Sequence, residues 1–167
     1  MHGRLMTIGN ALAALLPVMA IAPLAADARV RSPTIVPDGQ RFACTPTAVW
    51  DGDGPIWCAE GPHIRLQGIA AREIGDHCRN GQPCPSASAI TARDALVTLL
   101  GGARGTLATS HVRVAGPRLN CRSSGAARGD RTGALCALPD GRDLSCAMVR
   151  SGTVLRWARY GGGRLCR

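Results

Sequence analysis

Eight cysteines constrain this chain more than any other feature: Cys44, Cys58, Cys78, Cys84, Cys121, Cys136, Cys146 and Cys166. An even count in an exported chain reads as four disulfides. Zinc is the rival use of such a set, but it wants Cys-x2-Cys pairs with Cys or His nearby, and no such pair occurs. Eight cysteines allow about a hundred pairings, so the connectivity is not fixed by the sequence. Hairpin geometry suggests one set. Cys44 and Cys58 flank a turn at Asp51–Gly54, and Cys78 and Cys84 close a small loop. Cys121 and Cys136 flank a second turn region, and Cys146 and Cys166 tie the last helix to the tail. Each pair then needs Cα atoms within about 7 Å. The chain holds one Phe, one Tyr and three Trp, so its aromatic core is thin. Cross-links offset that by about 2–4 kcal/mol each.

All eight cysteines follow a segment of a different kind. Residues 1–4 are short and basic, residues 8–24 are apolar, and Ala26-Asp27-Ala28 fits a small-x-small cleavage site. Residues 1–28 therefore read as a secretory signal peptide, which makes the protein secreted or periplasmic. A membrane anchor is the alternative. Asn10 and Pro17 interrupt the run, which is short for a span of ~20 residues, so no stable membrane anchor is expected. Residues 29–40 hold Pro33, Pro37 and Gly39 without a clear period and read as a flexible extension. Residues 41–167 then form one domain, expected to be a monomer.

The net charge is +9, and every basic residue is arginine. A guanidinium binds phosphate through a planar fork, and a basic surface favours polyanions. The arginines are scattered and form no run, so a merely soluble basic surface accounts for the same composition.

Short strands are expected at residues 41–50, 56–58, 63–69, 106–114, 119–121 and 134–138, with loops punctuated by Gly and Pro between them. Ser86 or Ser88 caps a helix to Leu100, whose Ala92, Ala95, Leu96, Leu99 and Leu100 share a face. Asp143 caps a second helix, residues 144–151. The fold class is mainly β with two or three helices. A disulfide-stapled, five-stranded, OB-fold-like Greek-key barrel is the leading architecture.

Chemistry concentrates between Val49 and Glu73. Val-Trp-Asp-Gly-Asp-Gly-Pro-Ile is followed by Ile-Arg-Leu-Gln-Gly-Ile-Ala-Ala-Arg-Glu. This places Asp51, Asp53, Arg65 and Glu73 on short strands around one turn. Carboxylates, an arginine and a further glutamate on adjacent strands are what metal-assisted attack on a phosphodiester needs. The plainer reading is that Asp51 and Asp53 build the turn and that Arg65 and Glu73 form a structural ion pair across the barrel. His63, His77 and His111 read as surface residues.

The same segment resembles the N-terminal half of the staphylococcal-nuclease (thermonuclease) family. Asp130-Arg131-Thr132-Gly133-Ala134, and residues 139–152 with their Pro-Asp-Gly turn and closing Val-Arg-Ser-Gly, resemble later blocks in the right order. The resemblance implies an OB-fold and calcium-dependent hydrolysis of nucleic acid. It casts Asp53 as a calcium ligand and Asp51 as part of the same acidic pocket. Arg65 would grip phosphate and Glu73 would orient or deprotonate water. Tyr160 would lie near the base, and a one-residue gap would bring Arg131 to the substrate. Ala70 stands where the family's second metal aspartate belongs, and Ala134 where its second arginine belongs. Thr132 replaces a substrate-side tyrosine. Two functions follow: weak calcium-dependent phosphodiester hydrolysis, or a catalytically inactive module that binds nucleic acid or another phosphorylated polyanion.

Overall fold

A computed structural model describes residue 3 and residues 34–166 of the chain. Apart from Gly3, the expected signal peptide lies outside the described residues. The body is mainly β. Its elements run β1 (Arg41–Cys44), β2 (Pro46–Val49), β3 (Ile56–Cys58), β4 (His63–Leu66), β5 (Ile69–Ala70), α1 (Ala89–Leu99), β6 (Ala103–Thr106), β7 (Val112–Val114), β8 (Leu119–Ala126), β9 (Thr132–Ala137), α2 (Leu144–Arg150) and β10 (Leu155–Arg156).

One sheet holds eight strands in the order β1-β8-β9-β4-β3-β2-β7-β6, and β5 pairs separately with β10. The expected five strands are thus corrected to eight. The predicted strand over residues 41–50 breaks at Thr45 into β1, which pairs with β8, and β2, which pairs with β3 and β7. The predicted strand over residues 106–114 is instead the end of a hairpin, β6–β7. The chain reverses where Leu107 N–H bonds to His111 O and Ser110 takes a positive φ of 65°. The small residues Ala108, Thr109 and Ser110 offer little side chain to pack, and the two hydroxyls favour a turn over a continued strand. Because β1 and β2 are one ribbon bent at Thr45, the sheet curls back on itself into a half-barrel.

Period-two burial puts β4 across the barrel wall. Ile64 and Leu66 are buried, while His63 and Arg65 look outward. The core is aliphatic: Ile56, Ile64, Leu66, Leu96, Leu100, Leu119, Leu144 and Met148 are each at most 1% exposed. α1 starts where Ser88 Oγ accepts from Thr91 N–H at 3.0 Å and buries Ala92, Leu96 and Val97. α2 starts where Asp143 accepts from Cys146 N–H at 2.7 Å.

All four suggested disulfides are present: Cys44–Cys58, Cys78–Cys84, Cys121–Cys136 and Cys146–Cys166. Cys121 and Cys136 sit directly opposite each other across β8 and β9. Part of the extension expected to be flexible is tied down. Val36 is buried, its N–H donates to Thr132 Oγ1 at 3.0 Å, and its carbonyl accepts from Ser123 Oγ at 2.7 Å.

The turn between β2 and β3 is pressed against α1. A Cβ built on Gly52 would collide with the methyl of Ala92 and come within 3.0 Å of Ala71 Cβ. Only glycine fits there, which is why the two aspartates are separated by one. Gly52→Ala should lower stability by about 1–3 kcal/mol through overpacking. Urea unfolding of the oxidised protein checks this, and an unchanged midpoint would contradict the packing described.

Candidate functional site

The Asp-Gly-Asp turn buries both carboxylates, each residue being 4% exposed. Asp51 Oδ1 accepts the amide N–H of Asp53 at 3.1 Å, an interaction within the turn itself. Asp53 Oδ2 reaches further. It accepts Ala71 N–H at 2.8 Å and pairs with Arg65 Nη2 at 2.7 Å. Arg65 stands on β4 with its guanidinium turned along the wall. Nη1 donates to Leu66 O at 2.7 Å and Nη2 to Ile69 O at 3.2 Å. One buried acid, one arginine and three backbone groups thus lock β4, β5 and the turn together.

Burial pushes both aspartates upward, and their mutual repulsion adds to it for Asp51, which is pushed up to about 8. The pair shares its proton unequally. Asp53, held by a guanidinium and an amide, is the better place for the charge; Asp51, with one backbone contact, is the better place for the proton.

Glu73 begins the loop that follows β5. Its carboxylate pairs with Arg79 Nη2 at 2.7 Å and not, as expected, with Arg65, which is taken by Asp53; its N–H donates to His77 O at 3.0 Å. The loop is tied down at several points along its length. Arg72 donates to Pro85 O and to Asp76 O, each at 2.8 Å, and Asp76 Oδ1 accepts Ala89 N–H at 2.7 Å beside the start of α1. The Gln82 side-chain amide donates to Ala71 O, and Cys78–Cys84 closes the loop. Arg72 thus staples the loop to itself.

These elements frame an open cleft of about 520 Å³. Asp53, Arg65, Glu73, Arg131 and Tyr160 all line it, so five of the six predicted site residues converge. Asp51 instead lines an adjoining hollow of about 510 Å³, which shares Glu73, Arg79, Arg128 and Arg131 with the cleft. Arg131 and Arg128 come from the tip of the β8–β9 hairpin, where Arg131 Nε donates to Arg128 O at 2.7 Å. Burial, then the charge of Arg65, pulls the Arg131 pKa below the usual arginine range. Tyr160 lies edge-on to Trp157 at 4.6 Å, and the Arg159 guanidinium is 5.8 Å from the Tyr160 ring centre.

Sequence reasoning did not single out Arg79, Arg159 and Trp157. The cluster Arg156-Trp157-Ala158-Arg159-Tyr160 carried the signal, two arginines interleaved with two aromatics. Ala70 and Ala134 are fully buried, and Thr132 receives Val36 N–H rather than facing the cleft.

The donors present supply few of the roughly six to eight oxygens that calcium takes. Asp53 is committed to Arg65 and Ala71 N–H, Glu73 to Arg79, and the Ala71 carbonyl to Gln82. Ala70 brings no oxygen in its side chain. Among the described residues, no three His, Cys, Asp or Glu side chains gather as metal ligands would. What the cleft offers a ligand is guanidinium groups and aromatic rings.

No protein-family model and no curated protein matches the chain.

Two variants probe the buried pair. Arg65→Met should destabilise by about 3–5 kcal/mol, because it leaves Asp53 buried without its partner; a loss under about 1 kcal/mol in chemical denaturation would refute the pairing. Asp51 is protonated in the folded state at neutral pH and ionised when unfolded. Its contribution is complete below the unfolded value of 3.8 and is lost as pH rises through about 8. Thermal midpoints of the native chain should therefore fall from pH 5 toward pH 9 more steeply than those of Asp51→Asn.

Proposed function

We propose that this protein is a binding module for nucleic acid or another phosphorylated polyanion, built on a thermonuclease-like OB barrel without that family's metal chemistry. The barrel reading is supported by the pairing order. β1/β2, β3, β4, β9 and β8 follow one another around a ring of five ribbons, with β4 and β9 parallel and β6–β7 added at one side. Four disulfides suit an oxidising compartment, in keeping with a secreted or periplasmic protein. Among the described residues, no helix is long and apolar enough to cross a membrane.

The observation that carries the proposal is the state of the charges around the cleft. Its acids are already neutralised, Asp53 by Arg65 and Glu73 by Arg79. Arg128, Arg131 and Arg159 have no carboxylate within 4.0 Å among the described residues. The cleft therefore presents three uncompensated guanidinium groups, each able to fork onto a phosphate. Arg65, predicted to grip phosphate, has its two Nη groups turned to Asp53 and to backbone carbonyls instead.

A second reading keeps weak calcium-dependent hydrolysis, with Glu73 as base and Arg65 and Arg131 as electrostatic partners. It is favoured by one fact: all three line the same cleft. Calcium-dependent digestion of single-stranded DNA that vanishes in Glu73→Gln would establish it over the binding module.

Fluorescence anisotropy with labelled oligonucleotide tests the proposal. Binding should weaken steeply with salt, and Arg131→Ala should reduce the salt slope by about 0.7 for a single strand. Absence of binding at low salt would overturn the reading.

A further inference from the structure

The chain places its few aromatic side chains in an unusual way. None of its Phe, Trp or Tyr residues is in the buried core; Phe42 alone packs partly against it. Trp157 and Tyr160 line the cleft. The remaining two tryptophans join two histidines in a ladder on the outer wall of the barrel.

The strand register builds that ladder. Trp57 of β3 is directly opposite His63 of β4, and their rings stack at 4.9 Å with planes 6° apart. β2 pairs with β7 so that Val49 meets Val112, which brings Trp50 beside His111 one step further. His111 sits between the tryptophans, 4.3 Å from Trp57 and 4.9 Å from Trp50. At the other end His63 Nδ1 lies 3.6 Å from Asp130, on the same hairpin tip as Arg128 and Arg131. Cross-strand aromatic pairs stabilise a sheet, which accounts for Trp57 and His63. It accounts less well for Trp50 and His111, which lie just beyond the ends of their strands and line the second hollow together with Arg128 and Arg131. Both sequence readings of these histidines as plain surface residues miss that arrangement.

We propose that Trp50, backed by His111, forms a base-stacking subsite for single-stranded nucleic acid. It is separate from the Tyr160 end of the cleft and joined to it by the arginine-bearing hairpin tip. The inference rests on the polyanion-binding reading and narrows its ligand. A ligand of phosphates alone needs only the guanidinium groups. Rings beside two arginine-lined hollows suit a chain in which planar bases alternate with phosphates. The strand must be single, because a base inside a duplex already has both faces stacked on its neighbours.

Oligothymidylates of three and twelve nucleotides and inorganic polyphosphate, bound to the full chain, form the test. Trp50→Leu should weaken the twelve-nucleotide ligand by about tenfold, the loss of one stacked base. Trp50→Phe should restore most of it. Binding of the three-nucleotide ligand and of polyphosphate should not change, and unchanged polyphosphate binding also shows that the variant is folded. His111→Leu should act in the same direction on the long ligand alone. Equal affinity of Trp50→Leu and the native chain for the long ligand would overturn the subsite, as would an equal loss for polyphosphate. If the native chain binds none of the three ligands, the polyanion reading itself fails.

Discussion

The contact between Asp53 and Arg65 holds the site together. A carboxylate taken out of water on a tight turn is costly unless paired and hydrogen-bonded. Here the guanidinium supplies the charge, Ala71 N–H supplies a second bond, and the remaining guanidinium hydrogens satisfy carbonyls at Leu66 and Ile69. These groups belong to the turn, β4 and β5, so their relative placement depends on one ion pair. The same pair explains why the cleft presents little negative charge. Its buried acid is used inward, and the arginines that remain open come from other elements.

Much of the fold was legible. The disulfide set was suggested by cysteines flanking two turns, closing one small loop and tying the last helix to the tail, and the helices by Ser86 or Ser88 and by Asp143 standing before apolar faces. The sequence could not reveal how many strands result. A bend at Thr45 divides one ribbon between two neighbours, and a reversal at residues 107–110 turns one predicted strand into a hairpin. Both depend on which edges the curled sheet brings together, and local pattern does not carry that information.

The site was legible in place more than in role. Asp53, Arg65, Glu73, Arg131 and Tyr160 do line one cleft, because β4 and β9 run side by side and the tail returns past β5. Their partners were not foreseeable. That Arg65 would turn to backbone carbonyls, and that Arg79 would reach back to Glu73, depends on a loop fixed by Arg72, Gln82 and Cys78–Cys84. The aromatic ladder was hidden for the same reason: its four rings come from four strands or the residues next to them, and only the register unites them.

The four cross-links share a property beyond their geometry. Each joins a cysteine to the very next one along the chain, with separations of 14, 6, 15 and 20 residues. Closing such short loops costs little entropy and needs no distant part of the polypeptide to have arrived. Oxidation proceeding from the N-terminal side as the chain emerges would give the native partners in order, without passing through a scrambled species that an isomerase must rescue.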